Sequence, residues 1–327
     1  MKKKILSGMR PTGKLHLGHL VGALKNWSLL QSDYECFFMV ADWHALMSEY
    51  KDPSRLKEFS LDNVIDWISC GIDPDKATIF IQSQIPEHLE LYMVLSCVTP
   101  LGWLERCPTY KEQLRELKTR QLNNYAFLGY PVLQAADILL YKSEVVPVGE
   151  DQLPHLELTR EIAQKFNHLY KKNIFPHPQA KLTKTSRLTG LDGRKMSKSY
   201  DNYIGLSDTA EEISKKVMSM FTDPKRIKLT DPGRPEVCNV YSYYRVFADE
   251  SICTVVENEC QRTKRGCTDC KKQFSSVLNE YLKPIREKRK ELMGDKNTVI
   301  RILEKGRVKA HSVARATMDE VRHTIGL

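Results

Sequence analysis

Four apolar runs, each of strand length and none alternating with polar residues, constrain this chain before anything else does. They are Ile5-Leu6, Cys36-Phe37-Phe38-Met39-Val40-Ala41, Ala77-Thr78-Ile79-Phe80-Ile81 and Val145-Val146-Pro147-Val148. Unbroken apolarity over so few residues predicts strands covered on both faces. Between them Leu17, Leu20, Val21 and Leu24 fall at helical spacing. So do Leu56, Phe59, Val64, Ile65 and Ile68, a stripe opened by Asp52-Pro53 and closed by Gly71. Strand and helix in alternation predict an α/β fold, a doubly wound parallel sheet over residues 1–200. Residues 109–124 read as a charged helical insertion, and Pro131 to Tyr141 as a short helix. From Ser207 the spacing is helical throughout, broken by Pro224, Pro232-Gly233-Arg234-Pro235, Pro284 and Gly294, which predicts an all-helical domain over 201–327.

At 327 residues and 41% apolar content the chain can bury two cores. No run of about 18 apolar residues occurs, so no spanning helix and no membrane partner are expected. Only Ile5-Leu6 follows Lys2-Lys3-Lys4, far short of an export signal, and a cytoplasmic location is expected. The net charge is +9, a mild bias toward a polyanionic partner. Residues 201–327 hold 24 basic against 19 acidic residues and 1–200 hold 26 against 22, so the shorter region is the denser in positive charge.

Two segments carry phosphate chemistry. Gly8-Met9-Arg10-Pro11-Thr12-Gly13-Lys14-Leu15 nearly matches a phosphate-cradling loop, but Leu15 lacks the metal-binding hydroxyl and Pro11 removes a loop N–H. His16-Leu17-Gly18-His19 follows at once, with both imidazoles on one face of a helix start and a glycine that admits a ligand to the backbone. Taken alone, it reads equally as two histidines capping a helix. Far along the chain, Lys195-Met196-Ser197-Lys198-Ser199 sets ammonium and hydroxyl groups on a loop after Gly190, Gly193 and Arg194. Such lysines can close over a triphosphate and neutralise charge developing in transfer.

Together these elements resemble the histidine-x-glycine-histidine and KMSKS signatures of class I aminoacyl-tRNA synthetases. Ser7 to Gly13, Ala135-Ala136-Asp137-Ile138-Leu139-Leu140-Tyr141, Val146-Pro147-Val148-Gly149-Glu150-Asp151-Gln152 and His155 to Arg160 are similar to the bacterial tryptophanyl branch of that class, over most of residues 5–205. The resemblance implies a Rossmann-like catalytic domain over 1–200, a helical anticodon-binding domain over 201–327, and homodimerisation. It implies ATP with Mg²⁺, L-tryptophan and tRNA(Trp) as cofactors and partners. By the same resemblance His16, His19, Lys195 and Lys198 are catalytic. Arg10, Thr12, Gly18, His19, Gly149, Asp151, Lys195, Met196, Ser197 and Lys198 bind ATP. Arg10, His44, Tyr130, Gln134, Asp137 and Gln152 bind tryptophan, with Asp137 accepting the indole N–H and Tyr130 and Gln152 gripping the ammonium and carboxylate. Arg10 stands where some members carry Gln, and Gln134 where some carry Met.

Nine cysteines, an odd number without an export signal, argue against a disulfide framework. Cys238, Cys260, Cys267 and Cys270 are separated by 21, 6 and 2 residues, a plausible four-thiolate site. Some tryptophanyl enzymes are similar here too and hold a [4Fe–4S] cluster, on a pattern whose first spacing is one residue longer. An iron–sulfur cluster is therefore expected, with Zn²⁺ or unligated thiols as alternatives. Cys36, Cys70, Cys97, Cys107 and Cys253 read as buried apolar residues.

Overall fold

A computed structural model describes residues 2–108, 124–182, 188–196 and 200–327. The charged insertion expected at 109–124 falls, but for its last residue, outside them, as do Ser197, Lys198 and Ser199. Five strands, β1 (Lys4–Met9), β2 (Glu35–Val40), β3 (Ala77–Ile81), β4 (Val145–Val148) and β5 (Gln179–Leu182), form one sheet in the order β3-β2-β1-β4-β5. Every pairing is parallel, with Lys4 opposite Glu35, Cys36 opposite Ala77 and Val145 opposite Gln179. The four apolar runs supply β1 to β4, and Ile5, Phe37, Phe38 and Phe80 are fully buried. The fifth strand, Gln-Ala-Lys-Leu, lies at the sheet edge with its ends exposed, so apolarity did not reveal it.

Chain order reverses between β1 and β4, which makes the space beyond their carboxyl ends the topological switch point. The helix Tyr125–Leu140 buries Val132, Leu133, Ala135, Ala136, Ile138, Leu139 and Leu140. It starts six residues earlier than expected, because Asn124 caps it with a bond from Phe127 N at 2.9 Å, and Pro131 sits inside it. Leu56–Ser69 also differs at its start: Asp52 accepts from Ser54 Oγ at 2.6 Å in a preceding turn and does not cap it. Gly71, at φ +98°, does follow it, in a conformation that favours glycine.

The chain divides into two compact units. One comprises Met1–Gly13, Asn26–Lys184 and Asp295–Leu327, the other Lys14–Lys25 and Thr185–Gly294. In the sheet-bearing unit the last helix, Lys296–Ile325, buries Ala310, Ala314, Met318 and Val321 in the core. At Gly306 it runs so close to the carbonyl of Ile79 that no Cβ would fit. Arg322 clamps Glu90 through two bonds of 2.7 and 2.6 Å, which ties this helix to the helix Glu87–Val98.

In the other unit the helices Ala210–Met218, Asn239–Phe247, Glu250–Gln261 and Cys267–Gly294 pack around Tyr243, Tyr244, Phe274 and Leu278. Pro284, expected as a break, lies inside the 28-residue Cys267–Gly294. Burial of Phe274, Leu278, Leu282 and Ile285 along one face outweighs the single backbone bond that proline forfeits.

Candidate active site

The tryptophan-binding candidates all belong to the sheet-bearing unit and follow the carboxyl ends of its strands or line the helix Tyr125–Leu140. Arg10 leaves β1, His44 stands two residues into the helix Asp42–Glu49 after β2, and Gln152 follows β4. Their centre is Asp137, a carboxylate only 2% exposed in an otherwise apolar helix. His44 Nε2 donates to Oδ2 at 2.7 Å, Gln82 Nε2 to Oδ1 at 2.7 Å and His88 Nδ1 to Oδ1 at 2.6 Å. Burial pushes this carboxyl upward, yet the hydrogen bonds from His44 and His88 hold it below its ordinary value. Asp137 is thus an ionised acceptor. Two of the four lone-pair positions of a carboxylate lie on Oδ2, and His44 takes one.

Gln82 and His88 were not singled out from the sequence. Both follow β3 in Gln82-Ser83-Gln84-Ile85-Pro86-Glu87-His88, and both are completely buried. The signal was there: a polar run directly after a buried parallel strand marks the ligand-facing edge. Tyr141 completes the cluster, its hydroxyl 2.9 Å from His88 Nε2. Burial first, then the charges of Asp137 and Glu87, keep this phenol protonated well above its usual range.

Tyr130 is the second anchor. Its hydroxyl lies 2.6 Å from Nε2 of buried His155, another residue without an expected role. Burial raises the Tyr130 phenol, helped by Cys107, and the nearby Arg10 charge offsets part of the rise. His155 moves the other way: burial lowers it to about 4, against the charge of Asp151, so it is neutral near pH 7. Gln134 is half-buried on the same helix as Tyr130 and Asp137. Gln152 donates to exposed Asp151 at 2.9 Å, while Thr12 N bonds Arg10 O at 2.9 Å. Gly149 permits a close approach, since a Cβ there would lie 2.6 Å from Asp151 Oδ1. A cavity of about 1060 Å³ lined by Lys2, Lys4, Glu35 and Lys76 opens at the opposite, amino ends of the strands and contains none of these residues.

His16, Gly18, His19, Lys195 and Met196 belong together in the other unit. His16 is the N-cap of a single α-turn, Leu17–His19, and accepts from Gly18 N at 3.1 Å, while His16 N donates to His19 Nδ1 at 3.2 Å. The two rings lie 3.9 Å apart. The helix expected here does not continue regularly. A π-helical stretch, Leu20–Leu24, intervenes before Lys25–Leu30. The histidines therefore cap their own turn, and little aligned helix dipole stands behind them.

The segment after the lysine loop returns to this turn, with Leu17 N bonding Ile204 O at 3.0 Å and the Tyr203 ring, tilted by 44°, 5.3 Å from that of His16. Met196 Sδ lies 3.2 Å from where a Gly18 Cβ would stand, and the His16 ring 2.9 Å from it. The spacing of 180 residues between the two signatures thus closes in space. Lys195 is exposed, and its strand bridge to Thr189 and the bond from Asn202 Nδ2 to its carbonyl at 3.2 Å hold its backbone.

A family model described as tRNA synthetases class I (W and Y) matches residues 2–283. The chain belongs to the class I tRNA synthetases of the tryptophan and tyrosine family. It is 49% identical to the tryptophan–tRNA ligase of Thermotoga maritima, covering 99% of each chain, and 43% identical to that of Aquifex aeolicus, covering 99% of this chain and all of the relative. The tryptophanyl-tRNA synthetase of Campylobacter jejuni, solved with ADP and tryptophan, superposes with a TM-score of 0.91 at 36% identity, over 99% of this chain and 100% of that one.

Among the cysteines, Cys238 caps Asn239–Phe247, Cys260 ends near Gln261, and Cys267 and Cys270 open Cys267–Gly294. None forms a disulfide. Burial raises the Cys238, Cys260 and Cys270 thiols, the last to about 12, and Cys260 Sγ accepts from Arg226 Nη1 at 3.3 Å. Among the described residues no group of three or more His, Cys, Asp or Glu is disposed to hold a metal ion. Cys97, expected to be buried, is exposed on Glu87–Val98, and Cys70 is half-buried. No described helix is long and apolar enough to cross a membrane.

Proposed function

We propose that this chain is a tryptophan–tRNA ligase. It joins L-tryptophan to ATP as tryptophanyl-adenylate, releasing pyrophosphate, and then passes tryptophan to the terminal ribose of tRNA(Trp). Asp137 carries the reading. A buried, ionised carboxylate in an apolar helix, with acceptor capacity left on Oδ2, is what a pocket for a flat ring with a single N–H requires.

In the first step a carboxylate oxygen of tryptophan attacks the α-phosphorus, and the bond to the bridging oxygen of pyrophosphate breaks. In the second a ribose hydroxyl attacks the adenylate carbonyl and AMP leaves. The chain's residues position and neutralise. Asp137 takes the indole N–H, with Gln134 and His44 beside it. Tyr130 and Gln152 hold the ammonium and carboxylate, and Arg10 adds a charged donor. His16, Gly18 and His19 receive ATP with Thr12, Gly149 and Asp151, and Lys195, Met196, Ser197 and Lys198 form the closing strap. Mg²⁺ enters as the counter-ion of the phosphates.

Amino-acid-dependent exchange of pyrophosphate into ATP tests the assignment. Exchange with tryptophan alone supports it, and exchange with tyrosine or without amino acid overturns it.

Three further readings belong to this proposal. The helices of the second unit, Ala210–Met218 to Cys267–Gly294, take the anticodon arm, with phosphate contacts from their Lys and Arg side chains. The four cysteines hold a [4Fe–4S] cluster, or Zn²⁺. Their donor chemistry fits, and Cys238, Cys260, Cys267 and Cys270 feel one another's charge. Iron and acid-labile sulfide in anaerobically purified protein test this. A cytoplasmic homodimer is the third, with exposed Leu89, Met93, Leu101 and Tyr125 as the apolar surface to cover, and light scattering gives the mass.

A further inference from the structure

Asp137 cannot select an N–H by its charge alone. A carboxylate rotates easily about its last torsion, and that torsion decides whether an Oδ2 lone pair faces a ligand or the core. Three donors fix it here. His44 is on the ligand side, with 12% of its side chain exposed, whereas His88 is completely buried behind the carboxylate. His88 makes two bonds, one at each ring nitrogen: Nδ1 donates to Asp137 Oδ1 at 2.6 Å and Nε2 accepts from the Tyr141 hydroxyl at 2.9 Å. The Tyr141 ring is itself wedged against Phe37 and Phe80, at centroid distances of 4.9 and 5.4 Å, so the hydroxyl has one place to be. A hydroxyl donating to Nε2 leaves the ring proton on Nδ1, and that proton points at Oδ1.

We propose that His88 is a positioning residue for amino-acid selection. The chain of donors from Tyr141 through His88 pins Oδ1 in the core and thereby turns the open lone pair of Oδ2 toward the indole N–H. This rests on the reading of Asp137 given above and adds to it a residue that never touches the substrate. The last helix packs against the same element, with His311 Nε2 3.0 Å from a carboxylate oxygen of Glu87, the residue before His88.

The test compares L-tryptophan with β-(benzothiophen-3-yl)alanine, in which sulfur replaces the N–H at nearly the same shape. The readout is the ratio of their kcat/KM values in pyrophosphate exchange by the full chain. General damage to the pocket slows both substrates and leaves the ratio unchanged, whereas misdirection of the acceptor lowers it. His88→Asn places an amide N–H near the position of Nδ1 and is expected to keep the ratio within about twofold. His88→Gln places its amide near Nε2, leaves Oδ1 without that donor, and is expected to lower the ratio about fivefold or more. An unchanged ratio in His88→Gln, or an equal fall in both variants, overturns the proposal. Asp137→Asn separates the two ideas. If it too leaves the ratio unchanged, the Asp137 reading fails. If it lowers the ratio while His88→Gln does not, only the role of His88 fails.

Discussion

The Asp137 pocket and the histidine–lysine region are built in opposite ways. Around Asp137 the donors are buried or nearly so, and His44, Gln82 and His88 all bond one carboxylate. Around His16 and His19 the groups are half-buried, the histidines bond within their own turn, and Lys195 stands exposed on a short strand bridge. Selecting an amino acid requires an acceptor that does not move, because an unpaired buried donor costs about 1–3 kcal/mol only if the pocket refuses to adapt. Neutralising a departing pyrophosphate requires charges that arrive during the reaction and withdraw to release it.

The largest effect that would sharpen this contrast is expected from Asp137→Asn. It keeps the shape but exchanges one acceptor oxygen for a donor, and kcat/KM for tryptophan should fall about a hundredfold in pyrophosphate exchange. A loss below about fivefold would place the acceptor elsewhere.

Next in size is the pH response of the closed region. His155 titrates near 4 in the fold against about 6.5 unfolded, so between those values the unfolded chain binds more protons. Its contribution to stability is complete above 6.5 and is lost as pH falls toward 4. Urea unfolding should show about 2 kcal/mol less stability from this group at pH 5 than at pH 7.5, a difference that His155→Gln removes. A pH slope unchanged in that variant would contradict the burial argument.

Smaller still is Gly18→Ala. The new methyl meets the His16 ring at 2.9 Å and Met196 Sδ at 3.2 Å, both ends of side chains that can yield. Folding should survive and exchange should fall about tenfold, because the histidines are displaced. A variant that no longer folds would mean this region is as rigid as the pocket.

Periodicity exposed β1 to β4 because their residues are buried on both faces, and it missed β5, whose edge position leaves Gln179 and Leu182 exposed. Asp137 was readable as a lone charge in an apolar helix. Gln82, His88 and His155 were not, since each is ordinary beside its neighbours and gains meaning only through partners 55, 49 and 25 residues away. The regular helix expected after His16 gives way to a π stretch that no side-chain pattern announces. The break expected at Pro284 fails because burial along the helix outweighs one lost bond.

Lys195→Ala puts the division of labour to its most direct test, with equilibrium binding of tryptophan measured beside the rate of adenylate formation. Tryptophan affinity should stay within about twofold of the native protein while the rate drops about a hundredfold. Equal losses in both would mean that the exposed lysine helps to hold the amino acid, and the separation drawn between a fixed pocket and a closing strap would be wrong.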